Sequence, residues 1–158
     1  APGRQAHHPD RRRGGVPAED GKFNRCHGLA VDMRGPKPML IVCNRESGRV
    51  EHWDTDGNLV HVLQRGLRMP AAVIVSGDYA AVAELQGRVT ILGKDNSIVA
   101  QLGDHPTASQ RANYGLDPAQ WTEGICNSPH GIAFDRSGNV IVSEWSKFGR
   151  LLKFAVKR

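Results

Sequence analysis

The sequence predicts an all-β fold of β-propeller blades, about three four-stranded antiparallel meanders forming an incomplete ring. Two observations predict it. The apolar runs are short, about five to seven residues, rich in Val, Ile and Leu and separated by turn residues, which favours strands over helices. The chain also repeats. Gly48-Arg49-Val50, Gly87-Arg88-Val89 and Gly149-Arg150-Leu151 each open the third strand of a unit, and His27-Gly28-Leu29-Ala30-Val31-Asp32 matches His130-Gly131-Ile132-Ala133-Phe134-Asp135. Repetition at roughly 40 residues with four strands per unit is the signature of propeller blades.

Taken in order, strands are expected over Gly28–Asp32, Pro38–Cys43, Arg49–Trp53 and Leu59–Gln64, then over Ala71–Ser76, Tyr79–Glu84, Arg88–Leu92 and Ile98–Leu102. The last unit offers Gly131–Asp135, Asn139–Glu144 and Arg150–Phe154 and shows no fourth strand. Between them Asp56-Gly57-Asn58, Ser76-Gly77-Asp78, Gly93-Lys94-Asp95-Asn96 and Arg136-Ser137-Gly138-Asn139 supply residues that accept positive φ or cap a turn. Asp32 and Asp135 close their strands and read as such caps. The blades are expected at about 26–66, 67–103 and 128–158, with an insertion loop at about 104–127 in which Asp117-Pro118-Ala119-Gln120-Trp121 starts a short helix. Residues 1–25 read as a flexible basic arm, because Arg4, Arg11, Arg12, Arg13, Lys22 and Arg25 crowd a Pro/Gly-rich stretch with little apolar content.

Composition limits the function classes. Hydrophobic residues are 39% and charged residues 23% of the 158, ordinary for a globular chain long enough to bury a core. No run approaches the roughly 20 apolar residues of a membrane helix, so no membrane partner is expected. The net charge of +5 is concentrated in the arm, and no aromatic-and-basic platform follows it, so nucleic acid is not expected either. A mature chain that has lost an export signal suits an extracellular or periplasmic setting. Cys26, Cys43 and Cys126 are an odd count and match no zinc-finger spacing. They read as buried small hydrophobes, with a bridge or ligand role left open for Cys26 and Cys126, each close to a histidine.

Pro129-His130-Gly131-Ile132-Ala133-Phe134-Asp135-Arg136-Ser137-Gly138-Asn139, with the strands through Phe154, resembles an NHL repeat. The resemblance covers units one and three well, unit two weakly and the first 25 residues not at all. Since propellers use about four to eight blades, three leave the ring open, to be completed by a missing half or by a second copy of the chain.

Within that superfamily the chain resembles the peptidylglycine α-hydroxyglycine α-amidating lyase, in which histidines opening innermost strands converge on zinc. The resemblance implies that His27 and His130, at the same repeat position, are metal ligands facing the channel. It also implies that Arg45, in Asn44-Arg45-Glu46-Ser47-Gly48-Arg49, contacts a substrate carboxylate or oxyanion. Zinc is the implied cofactor, with calcium as the alternative, and the implied activity is a zinc-dependent lyase acting on a small molecule or peptide once the ring is complete. The departures are specific. Unit two opens with Pro70-Ala71-Ala72 and has no histidine, Ser128 and Gly131 stand where the lyase has Met and Asp, and no equivalent of its catalytic Tyr is found.

Two other readings compete. One is a non-catalytic platform for protein or carbohydrate, with structural histidines and with Arg45 paired across blades to Glu84 or Glu144. The other is a lactonase-like propeller holding calcium through Glu84, Asn44 and Glu144. Trp53, Trp121 and Trp145 read as packing residues, and His7, His8, His52, His61 and His105 share no pattern.

Overall fold

A computed structural model describes residues 19–155. Blade one is β1 (Cys26–Asp32), β2 (Met39–Asn44), β3 (Arg49–Trp53) and β4 (Leu59–Gln64). Blade two is β5 (Pro70–Ser76), β6 (Tyr79–Glu84), β7 (Arg88–Leu92) and β8 (Ile98–Leu102). Blade three is β9 (Pro129–Phe134), β10 (Val140–Glu144) and β11 (Arg150–Phe154). Each is an antiparallel meander in chain order, four-stranded twice and three-stranded in the last among the described residues.

The burial pattern explains the sequence. Blade two lies between the others, so both of its faces are covered: Val73, Ala80, Val82 and Leu92 pack on Ile41, Cys43 and Val50 of blade one. From the opposite face, Ala81, Val89 and Ile91 pack with Val140, Val142 and Ile132 of blade three. A strand buried on both sides reads as a continuous apolar run, which is what Tyr79-Ala80-Ala81-Val82-Ala83 shows. The outer faces of blades one and three leave Leu29, Val31 and Leu151 exposed. The innermost strands β1, β5 and β9 pack side by side in that order.

The first strand of each blade begins where the second ends, as the pairs Cys26 with Asn44, Pro70 with Glu84 and Pro129 with Glu144 show. The turns between second and third strands therefore share one end of the assembly, called the mouth below. The insertion leaves from the same end, since Leu102 pairs with Val89 at the start of β7. It holds two single 3₁₀ turns, Ala108–Gln110 and Pro118–Gln120. The second is the helix expected after Asp117, whose carboxylate accepts the N–H of Ala119 at 2.8 Å; it stops after one turn.

Of the segment expected as an arm, residues 1–18, with Arg4 and the Arg11-Arg12-Arg13 run, lie outside the described residues. Residues 19–25 are fastened to blade one. Asp20 pairs with Arg49 at 3.0 Å and Arg65 at 2.8 Å, and the Phe23 ring stacks on Trp53 at 4.6 Å. Among the described residues no helix is long and apolar enough to cross a membrane.

Candidate functional site

A repeated hydrogen-bond device sets the start of each innermost strand. The last residue of the second strand, Asn44, Glu84 or Glu144, accepts the backbone N–H of the residue two places ahead of the first strand. Asn24 N–H thus meets Asn44 Oδ1 at 2.8 Å, Arg68 N–H meets Glu84, and Asn127 N–H meets Glu144. The next residue, Arg45, Leu85 or Trp145, donates its own N–H to the carbonyl just before that strand, on Arg25 (3.3 Å), Met69 (2.9 Å) or Ser128 (2.8 Å). Two pins therefore hold each strand start, and the second residue of β1 and of β9 is a histidine.

The Gly-Arg repeat supplies the countercharge. Arg88 donates to Glu84 through Nε at 2.9 Å and Nη2 at 2.7 Å, with Thr90 Oγ1 as a further donor. Arg150 Nε reaches Glu144 at 2.9 Å. In blade one the carboxylate has moved two residues along the third strand. Glu51 pairs with Arg49 Nε at 2.8 Å and accepts from Asn44 Nδ2 at 3.0 Å and Trp53 Nε1 at 3.0 Å. Glu84, Asn44 and Glu144, the residues of the calcium reading, are thus each engaged within their own blade, and the partners of Glu84 and Glu144 are Arg88 and Arg150. Arg45 pairs instead with its neighbour Glu46, at 3.1 Å.

His27 and His130 meet at the mouth. Their ring centroids are 4.9 Å apart in an edge-to-face arrangement with an interplanar angle of 89°. The contact spans blade two, whose first strand opens with the small residues of Pro70-Ala71-Ala72. His27 Nδ1 lies 2.7 Å from the Ala71 carbonyl. A carbonyl only accepts, so Nδ1 carries a proton, and in the neutral ring Nε2 is the nitrogen with the lone pair. Burial holds His130 below the usual histidine range, and the charges of His27 and Arg45 act in the same direction. The Arg45 side chain is 17% exposed, and its Nε is buried without a hydrogen-bond partner. Ser47 Oγ, Asn127 Nδ2 and Ser128 Oγ are likewise buried and unpartnered, and they too belong to segments at the mouth. Among the described residues no three His, Cys, Asp or Glu side chains group as a metal site. The donor set on hand for zinc is therefore two imidazoles, which suit that metal and leave the remaining positions to be supplied from elsewhere.

Sequence reasoning missed a second polar cluster at the opposite end of blade one. Asp32 caps its turn, accepting the Arg34 N–H at 3.0 Å, and does more: Arg34 also donates to it through Nε at 2.9 Å and Nη2 at 2.6 Å, and His52 Nε2 lies 2.7 Å away. The same guanidinium donates to the Gly93 carbonyl at 2.7 Å and to Asn96 Oδ1 at 2.8 Å, tying blade one to blade two. His61 stacks edge-on to His52 at 5.0 Å. Asp135 caps its turn as well, accepting from the N–H groups of Ser137 and Asn139 at 2.9 Å each. Cys26 is exposed, Cys43 and Cys126 are buried, and all three are free thiols. A cavity of about 550 Å³ lies away from the histidines, between blades two and three, lined by Tyr79, Ile91, Val99, Leu102, Phe134 and Phe154.

No protein-family model matches the chain, and the search of curated proteins found no match. Among solved structures it is similar to virginiamycin B lyase from Staphylococcus aureus, with a TM-score of 0.50 and 12% identity over 84% of this chain and 42% of that one. A streptogramin B lyase structure aligns with a TM-score of 0.49 and 10% identity over 84% of this chain and 41% of that one. The first likeness, with the three meanders, defines the class: an incomplete set of β-propeller blades. The chain spans less than half the length of either structure.

Proposed function

We propose that the mouth of these blades is the metal- and anion-binding part of a lyase-like propeller enzyme, related to peptidyl-amidating lyases, whose remaining blades complete the site. The observation that carries this reading is the meeting of His27 and His130 at 4.9 Å, with Arg45 held by its N–H to the Arg25 carbonyl two residues ahead of His27. The Ala71 carbonyl orients His27 so that Nε2 is free, the outer-sphere arrangement common to metal-binding histidines. His130, held neutral by burial and neighbouring positive charge, offers a lone pair without first losing a proton. Zinc bound there would polarise a substrate oxygen or lower the pKa of a bound water. Arg45 has an unpartnered buried Nε with which to take a substrate carboxylate or oxyanion. Further ligands would come from the missing half-ring or from a second copy. Names containing "lyase" among proteins of similar fold agree with an enzymatic role, although fold alone does not assign one.

One observation favours a non-catalytic reading. The His27–Ala71 bond joins blade one to blade two, so the histidine also works as a fastener between blades. Elemental mass spectrometry of the purified chain after zinc incubation and dialysis separates the two. Near-stoichiometric zinc, lost in His27→Ala/His130→Ala, supports the metal site. No zinc in either protein, with the double variant less stable to urea, leaves the fastener.

A further inference from the structure

We infer that the ligand of this mouth carries an apolar aromatic group beside its anion, seated on a shelf formed by Trp145 and Tyr114; this rests on the anion-binding role of Arg45 proposed above. Trp145 occupies in blade three the position that Arg45 occupies in blade one. Each is the first residue after the second strand, pinned by its N–H to the carbonyl ahead of its blade's first strand. The second residues of those strands, His27 and His130, touch, so the two positions lie at the end of the blades where the histidine pair forms.

Trp145 is 47% exposed, Tyr114 48% and Phe148 48%, though all three rings are large enough to drive burial. They do not stand singly. The Tyr114 ring lies 4.7 Å from Trp145 at 46°. The insertion is tied to the turn by the Lys147 N–H on the Tyr114 carbonyl at 2.8 Å, and Lys147 Nζ lies 5.6 Å from the Phe148 ring centre. Backbone pins on both sides thus hold an aromatic surface at the same end of the blades as two basic groups, Arg45 and the imidazole pair. An amphipathic organic anion with an aromatic tail complements both halves: the carboxylate meets the guanidinium and the ring stacks on the indole. A neutral hydrocarbon would leave the Arg45 Nε without a partner, and a small inorganic anion would leave the shelf wet.

The test is a titration of the full chain with 4-phenylbutyrate, butyrate and 4-phenyl-1-butanol, read by tryptophan fluorescence and ligand-observed NMR. The expected result is 4-phenylbutyrate binding at least about tenfold more tightly than either other probe, from ring burial added to the charge contact. Trp145→Ala should bring that preference over butyrate close to one and leave butyrate binding unchanged, whereas Arg45→Gln should weaken both carboxylates alike. Tyr114→Ala, in the insertion, provides the same reading if Trp145→Ala does not fold. Equal binding of butyrate and 4-phenylbutyrate, both lost in Arg45→Gln, would overturn the shelf and keep the anion site. Binding of neither carboxylate would overturn both. A Trp145→Ala chain whose molar mass in solution falls while binding is unchanged would assign the shelf to contact with another copy, and overturn the inference.

Discussion

The carboxylate of Glu144 grips Arg150 through one oxygen, with Nε at 2.9 Å, while the other oxygen takes the N–H groups of Asn127 and Ser128 just ahead of the strand that bears His130. A single buried side chain thus closes a blade and sets its histidine. Removing it as Glu144→Ala leaves a partly buried guanidinium without its carboxylate and two backbone donors unmet, at an expected cost of about 3–5 kcal/mol. Glu144→Gln keeps an acceptor for the N–H groups and should cost less. Urea denaturation of both variants against the parent chain checks the ordering.

The strand plan was legible because short apolar runs, turn residues and a repeated marker all agree. Six of the predicted elements match the structure at both ends, from Arg49–Trp53 to Arg150–Phe154, and the other five shift by one or two residues at one or both ends. The equivalence of His27 and His130 was legible too, since repeat position is a property of sequence. Their contact was not, because it depends on how closely three blades turn about the small residues at Ala71. Ion pairing was the least legible. Glu51 replaces the Glu84 of the next blade from a position two residues into the third strand, where Thr90 stands in blade two, so no fixed spacing from the Gly-Arg marker finds the carboxylate. Arg34, in the turn after β1, gave no signal of its partner Asn96, which is 62 residues away.

Acid sensitivity should follow from the Asp32 clasp. Although burial alone would raise its pKa, the Arg34 and His52 bonds outweigh that and hold the Asp32 carboxyl well below the usual carboxylate range. A depressed folded-state pKa adds stability above the unfolded value of about 3.9, and this is lost as pH falls below it. The chain should therefore lose melting temperature between about pH 5 and pH 3, and Asp32→Asn should lose less over that interval after starting lower at neutral pH. His52 acts in a separate window. Burial lowers its pKa despite the Asp32 bond, so its contribution begins to fall as pH drops below the unfolded histidine value of about 6.5. Melting curves across pH for the parent, Asp32→Asn and His52→Gln separate the two, and parallel curves for all three would refute the assignment.

The three thiols should divide by burial. Desolvation pushes Cys126 up to about 12 and raises Cys43 as well, so neither offers thiolate near neutrality. Cys26 is also raised, yet it is exposed at the start of β1. A disulfide-exchange reagent at about pH 8 should consume one thiol quickly, Cys26, and the other two at the rate of unfolding. Cys26→Ser should abolish the fast phase alone. Two fast thiols would mean that the core around the second one, Cys43 or Cys126, opens in the native state.

The last prediction concerns how closely blades one and two approach. A Cβ on Gly28 would lie 2.6 Å from both the Ala71 carbonyl oxygen and the Ala72 Cα, backbone that cannot swing aside as a side chain does. Gly28→Ala should therefore force β1 away from β5 at an expected cost of about 3 kcal/mol, the upper part of the range for overpacking. Gly57 is the control: its φ is +88° and nothing lies within 4 Å of its added Cβ, so Gly57→Ala bears only the left-handed backbone penalty of about 1–2 kcal/mol. The two variants differ in reach as well as in cost. Moving β1 at Gly28 stretches the adjacent His27–Ala71 bond and draws His27 from His130, so zinc retention should fall in Gly28→Ala and hold in Gly57→Ala. Equal zinc retention in both folded variants would show that the histidine pair does not depend on the spacing of the two blades.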